Sequence, residues 1–225
     1  MSLSLKSWMM NVGAIVTPGY VVDRLDIRFW GDAMRQTVYE LQHPLDPWIT
    51  IDMIKILENF LKPSDIGFEF GSGSSSVWLA KKTQYLTTVE NDPGWTKKVQ
   101  ELILRNGLTE KIRLVEVAKN PKDYIAPVRD IQNESLDYGF VDGFYRDECI
   151  LALVPKIKRG GVLIVDNVDN YFPRNKISRS IRYKRDNFSK EVSKLKMKQV
   201  EKILDGWRCV WTSSAVQDTA MWIKP

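Results

Sequence analysis

With 225 residues and 44% hydrophobic content, the chain has apolar material for one sizeable core, and it contains no apolar run long enough for a membrane-spanning helix. The opening MSLSLKSWMMNVG lacks the basic region, apolar run and small-residue cleavage site of a secretory signal, so a cytoplasmic location is expected. Cys149 and Cys209 each fall inside a predicted regular element, which argues against a disulfide framework or a cysteine metal centre and reads as buried apolar filler. The net charge of +5 is local, because residues 170–205 hold eleven Lys or Arg against four Asp or Glu.

Residues 1–48, with Trp8, Trp30 and Trp48, read as an N-terminal cap ahead of a domain spanning residues 49–225. Within the cap, FWGDAMRQTVYEL at 29–41 predicts a short helix with Phe29, Met34, Val38 and Leu41 turned partly inward. Pro44 and Pro47 then break regular structure. Residues 49–60 predict a helix with a broad apolar face that includes Ile49, Met53, Ile54, Leu57 and Phe60, ended by Pro63.

The stretch DIGFEFGSGSSSVWLAKKTQYLTTVEND at 65–92 carries the main signal. It reads as a strand at 66–70, a tight turn at Gly71, Ser72 and Gly73, an amphipathic helix at 77–82, and a second strand at 85–89 that stops at Glu90. This is the first half of a nucleotide-type βαβ unit. Glycines let the backbone pass close beneath a ligand, and an acid ending the second strand can accept both hydroxyls of a ribose. Ser76 stands where a dinucleotide fingerprint has its third glycine, and Glu69 would oppose a pyrophosphate, which speaks against an NAD-dependent oxidoreductase. A cofactor with a sulfonium and an ammonium group would welcome that carboxylate.

Glu69-Phe70-Gly71-Ser72-Gly73-Ser74-Ser75 thus resembles the first motif of class I S-adenosylmethionine-dependent methyltransferases, with Ser75 replacing a frequent third glycine. The resemblance implies that Glu69 orients the amino-acid end of S-adenosylmethionine. It further implies that Gly71, Ser72, Gly73 and Ser75 approach the cofactor and that Glu90 holds its ribose. In that family the residue beyond the third strand often contacts adenine, and Asn120 is the nearest polar candidate after a strand at 112–117.

A helix at 95–104, with Val99, Leu102 and Ile103 inward, closes at Asn106-Gly107. Residues 121–135 form a polar connection with helical tendency near Tyr124 and Ile125. A strand at 136–142 delivers Asp142, a helix follows at 146–157, and Lys158, Arg159, Gly160 and Gly161 turn the chain into an apolar strand at 162–165 that ends in Asp166-Asn167. Glu69, Glu90, Asp142 and Asp166 thereby collect at carboxyl ends of strands, where ligands of parallel α/β sheets bind. Residues 171–205 read as a basic helical insertion, one broken helix or two, with an apolar stripe of Ile177, Ile181, Phe188, Val192, Leu195, Val200 and Ile203. Strands at 207–211 and 219–223 close the chain. The expected fold is Rossmann-like α/β: a seven-stranded, mostly parallel sheet with helices on both faces and an antiparallel last strand.

Asp142, Asp166 and Asn167 resemble the set that holds Mg²⁺ in catechol-type O-methyltransferases, although Tyr145 stands where that group has a lysine. Asp142 and His43 are the candidate catalytic bases, His43 being otherwise a packing residue of the cap. In Tyr171-Phe172-Pro173-Arg174 the rings would stack on a planar acceptor or pack under the basic helix. Arg174, Lys176, Arg179 and Arg182 would attract phosphate or carboxylate on a substrate. The expected activity is methyl transfer from S-adenosylmethionine to an oxygen, in preference to a nitrogen, of a small-molecule metabolite. Two alternatives stay open: an RNA methyltransferase using the basic 170–205 segment, and a non-catalytic S-adenosylmethionine-binding protein.

Overall fold

The computed structural model describes residues 27–172, 178–180 and 193–225. Its strands are β1 (Ile66–Phe70), β2 (Tyr85–Glu90), β3 (Ile112–Glu116), β4 (Leu136–Val141), β5 (Ile157–Asp166), β6 (Arg208–Ser213) and β7 (Asp218–Ile223). They form one seven-stranded sheet in the order β3-β2-β1-β4-β5-β7-β6. The first five run parallel, while β7 lies antiparallel to both β5 and β6. The order reverses between β1 and β4, so their carboxyl ends open a crevice at the centre of the sheet.

Both sheet faces are covered, and β5 shows why its sequence is nearly all apolar. Leu163 and Val165 point into one core with Phe68, Phe70 and Trp222, whereas Val162 and Ile164 point into the other with Leu86, Tyr138 and Phe140. Helices α1 (Ile27–Gln42), α2 (Ile51–Phe60), α3 (Ser74–Lys82), α4 (Pro93–Arg105), α5 (Pro121–Tyr124), α6 (Ala126–Arg129), α7 (Arg146–Leu153) and α8 (Lys194–Leu204) complete the described elements. Ile54 and Leu57 of α2, Val77 and Leu79 of α3, and Val99 and Ile103 of α4 fill the second core, while α7 and α8 pack on the first. None of the helices among the described residues is long and apolar enough to cross a membrane.

Several local expectations change. Helix α3 starts at Ser74 rather than three residues later, because the Ser76 hydroxyl accepts the Gly73 N–H at 3.1 Å and caps the first turn. Helix α7 ends at Leu153, and Lys158 to Gly161 are not a turn but an irregular part of β5. There the pairing steps from Leu136 opposite Ile157 to Tyr138 opposite Val162, with Gly160 at φ 75°.

On α1 the apolar residues are the wrong guide: Met34, Val38 and Leu41 are 68%, 45% and 56% exposed, and the inward side is Ala33, Gln36 and Glu40. Gln36 makes that burial tolerable by donating to Glu40 Oε1 at 3.0 Å and to the Ile49 carbonyl at 3.1 Å. Leu195 is likewise exposed, and α8 buries Met197, Val200 and Leu204 instead. Cys149 is buried, whereas Cys209 is exposed on the edge strand β6. The Phe29 side chain, Trp8, Ile177, Ile181, Phe188 and Val192 lie outside the described residues.

Candidate active site

Two glycine backbones set the shape of the central crevice. Beyond β1, Gly71 takes φ 95° and donates its N–H to the Val89 carbonyl at 3.0 Å, while the Asp142 N–H, just past β4, reaches back to the Phe70 carbonyl at 2.9 Å. A Cβ on Gly71 would lie 2.8 Å from the Gly143 nitrogen, and one on Gly143 would lie 2.0 Å from Tyr124 Oη. Both positions demand glycine for the protein's own packing. Gly73 is different, because a Cβ there would meet nothing nearer than Ser75 Oγ at 3.8 Å. Its missing side chain leaves room for something outside the protein.

The resulting cleft has a cavity volume of about 200 Å³ and is lined by Gly71 to Ser75, Glu90, Asn91, Trp95, Tyr124, Asp142, Gly143, Phe144 and Trp48. Glu90 ends β2 with one oxygen, Oε1, taken by the N–H groups of Asn91 at 2.8 Å and Asp92 at 3.0 Å. Its Oε2 accepts from Ser72 Oγ at 3.2 Å, and the residue lines the cleft. Beside it, the buried Asn91 Oδ1 has no hydrogen-bond partner within the protein. A carboxylate anchored on one oxygen and lining the cleft suits a ligand bearing hydroxyl donors. Trp95 closes this side, with Nε1 donating to the Ser72 carbonyl at 2.7 Å.

Glu69 sits deeper than the resemblance implies. It is fully buried, opposite Thr88 in the β1–β2 register, and accepts from Ser75 Oγ at 2.6 Å, Thr88 Oγ1 at 2.7 Å and Ser76 Oγ. The carboxylate therefore braces the turn from beneath and does not line the cleft; its link to a ligand runs through Ser75, which does. Burial pushes its pKa from 4.5 up to about 7, against the lowering effect of the three hydroxyls. Between those values the folded protein retains a proton that the unfolded chain has released. Stability contributed by this site therefore falls as pH rises from 4.5 to 7, by up to about 3 kcal/mol. Glu69→Gln is expected to flatten that slope in denaturant unfolding followed from about pH 5 to about pH 8.

Across the cleft, Asp142, Asp166 and Asn167 do come together, but around an arginine. Arg146, at the start of α7, is only 6% exposed. Its Nη2 donates to Asp142 Oδ1 at 3.0 Å, to the Asp142 carbonyl at 3.2 Å and to Asn167 Oδ1 at 3.2 Å. Its Nε donates to the Gly143 carbonyl at 3.1 Å, and Nη1 to the Asp166 carbonyl. Asp166 Oδ1 accepts from Thr219 Oγ1 at 2.6 Å, and burial, reinforced by the Asp142 charge, pushes its carboxyl well above the usual range.

This donor set does not fit Mg²⁺, which needs several unclaimed, ionised oxygens around one point. Among the described residues, no group of three or more His, Cys, Asp or Glu is placed to hold a metal ion. The metal expected at Asp142, Asp166 and Asn167 thus has no support in the donor geometry, where Arg146 stands between them.

Three other expectations also change. His43 is half-exposed beyond α1, stacked on Tyr39 at 4.4 Å, with Nδ1 3.9 Å from Asp46 Oδ2, and it does not line the cleft. Asn120 caps α5 by accepting the Asp123 N–H at 3.0 Å and is not among the lining residues. Tyr171 and Phe172 are buried in the first core, with Phe172 5.1 Å from Trp222, so neither ring is offered to an acceptor. Arg179 pairs with Asp32 at 3.1 Å, and Arg174, Lys176 and Arg182 lie outside the described residues.

The sequence did not single out Asn91, Trp95, Tyr124, Phe144 and Trp48 as lining residues, nor Arg146 as the hub of the far wall. Only Asn91 carried a usable signal, as the polar neighbour of the acid ending β2.

No protein-family model matches the sequence, and no curated protein is significantly similar to it. Solved structures are similar in fold. An O-methyltransferase from Bacillus cereus, solved with S-adenosylhomocysteine, has a TM-score of 0.58 at 15% identity, over 92% of this chain and 96% of its own. The O-methyltransferase TomG from Streptomyces achromogenes, involved in tomaymycin synthesis and solved with S-adenosylmethionine, has a TM-score of 0.55 at 15% identity, over 100% of both chains. A methyltransferase from Geobacter sulfurreducens has a TM-score of 0.55 at 12% identity, over 92% of this chain and 95% of its own. The chain has the Rossmann-like fold of class I S-adenosylmethionine-dependent methyltransferases.

Proposed function

We propose that the protein transfers a methyl group from S-adenosylmethionine to an oxygen of a small-molecule acceptor. One observation carries the reading: a single cleft joins the Gly71–Gly73 turn and the anchored Glu90 on one side to Asp142 on the other. The cofactor supplies the chemistry when bound, a methyl group on a good sulfonium leaving group, so the protein's task is alignment.

In this reading Glu90 Oε2 accepts the ribose hydroxyls, its other oxygen being fixed by backbone N–H groups. Ser72 to Ser75 approach the amino-acid end, and Glu69 keeps the Ser75 hydroxyl in place from below. Asp142 orients the acceptor's hydroxyl, and Trp48 and Phe144 wall off water. The segment before α2 acts as part of a cap, supported by Ser74 Oγ donating to the Asp46 carbonyl at 3.2 Å and Gln217 Nε2 to the Trp48 carbonyl at 3.0 Å. Lys119, exposed and 4.1 Å from the centre of the Phe144 ring, would favour an anionic acceptor.

Glu90→Ala removes two charge-assisted hydrogen bonds to the ribose. It is expected to weaken S-adenosylhomocysteine binding by about 3 kcal/mol, ~150-fold, in calorimetric titration. Acceptor class is tested by incubating the protein and methyl-labelled S-adenosylmethionine with hydroxylated small molecules or with total RNA. Label in a low-mass product, insensitive to salt, is the expected outcome. Label in RNA that falls steeply with salt would overturn the acceptor assignment.

A further inference from the structure

We propose that Arg146 is the resident cation of the acceptor side: its guanidinium takes the place between Asp142, Asp166 and Asn167 that a divalent ion would need. Asp142 Oδ1 and Asn167 Oδ1, two oxygens that would converge on an ion, converge instead on one nitrogen, Nη2, at 3.0 and 3.2 Å. The third partner, Asp166, gives its carbonyl to Nη1 while its Oδ1 is held by Thr219. The guanidinium is thus shared between the ends of β4 and β5, directly behind Asp142, which lines the cleft.

The backbone around it is shaped to the same end. Tyr145 and Asn167, a residue on each side of the junction, both adopt left-handed conformations, at φ 50° and 52°. Such conformations in non-glycine residues persist only when their surroundings hold them. Tyr145 in this conformation starts α7 and brings Arg146 back under Gly143, where Nε meets the Gly143 carbonyl; Asn167 in this conformation presents Oδ1 to Nη2. The Tyr171 ring, centred 5.0 Å from the guanidinium carbon, covers another side. A planar, permanently charged fork suits several fixed oxygens at once, which a lysine ammonium cannot match.

Arg146 has no open line to an acceptor, being buried and engaged on each of its nitrogens. It is therefore a positioning residue: it holds the Asp142 carboxylate at the cleft wall and makes the order of that wall independent of added metal. This inference rests on the methyltransferase reading for the placement of an acceptor beside Asp142, but not for the claim about the cation.

The test uses Mn²⁺ as the probe, followed by calorimetry and by thermal unfolding, on the wild type, Arg146→Ala, Arg146→Lys and Asp142→Asn. S-adenosylhomocysteine binding is measured on the same samples. The wild type is expected to show no saturable Mn²⁺ binding, an unfolding midpoint unmoved by Mn²⁺ or a chelator, and a cofactor-product affinity changed by less than about twofold by either. Arg146→Ala, with its oxygens released, is expected to unfold at lower temperature and to be stabilised by Mn²⁺. Arg146→Lys, which keeps the charge, is expected to fold without gaining that response.

Saturable Mn²⁺ binding by the wild type that Asp142→Asn abolishes would overturn the proposal, whether or not Arg146→Ala folds. So would a folded Arg146→Ala indifferent to Mn²⁺. Failure of the wild type to bind S-adenosylhomocysteine would count against the methyltransferase reading alone, since the Mn²⁺ results stand without it.

Discussion

Gly71→Ala is expected to destabilise the protein by about 3 kcal/mol and to abolish measurable cofactor binding. Two costs add at this position. The backbone sits at φ 95°, where any side chain is strained, and the new methyl would lie 2.8 Å from the Gly143 nitrogen and 2.9 Å from its Cα. Those are backbone atoms at the end of β4, so no side chain can swing aside. The relief must come from parting β1 and β4, which moves Asp142 and opens the floor of the cleft. For a chain of this size the loss corresponds to a midpoint lower by about 8 °C in thermal unfolding. Gly73→Ala is the internal control: its methyl has space within the protein, so the midpoint should move by less than about 2 °C while S-adenosylhomocysteine affinity falls. Equal loss of stability in both variants would contradict the division between a packing glycine and a ligand-facing one.

Arg146→Met carries the other large effect. Methionine fills the volume but leaves Asp142 and the fully buried Asp166 without their cation, and the carbonyls of Asp142, Gly143 and Asp166 without a donor. Breaking an ion pair from one side costs more than deleting the whole pair, and because the surviving Asp142 side chain keeps 30% exposure the cost is set at the lower end of the buried-pair range, about 3 kcal/mol. The double variant Arg146→Met with Asp142→Asn should therefore be more stable than Arg146→Met alone, by about 1–2 kcal/mol in denaturant unfolding. Simple additivity of the two single variants would mean that Asp142 and Arg146 are not coupled as their 3.0 Å contact requires.

Most of the sheet was legible in the sequence because its signals are local. The apolar run of β1, the glycine turn and the acid closing β2 each declare themselves within a few residues, and Pro93 behind Asp92 marks the start of α4. What escaped depends on which elements meet. The α1 pattern predicts an amphipathic helix but not which face turns inward; Gln36 and Glu40 are buried there, with Gln36 donating to Glu40 and to the Ile49 carbonyl. Glu69 looks like a ligand residue until the β1–β2 register sets it opposite Thr88 and the first turn of α3 lays Ser75 and Ser76 over it.

Arg146 was the hardest to read. Its role exists only because β4 and β5 are neighbours and two non-glycine residues accept left-handed backbone, neither of which composition or periodicity encodes. The sequence grouped Asp142, Asp166 and Asn167 as a metal set, whereas in the structure Arg146, four positions along from Asp142, bonds to all three.

The most direct measurement is calorimetric titration of the purified wild-type protein with S-adenosylhomocysteine, with NAD as the control. Saturable binding of S-adenosylhomocysteine with none for NAD is the predicted result. Folded, cofactor-free protein that binds NAD, or neither ligand, would contradict the reading of this cleft as a methyl-donor site.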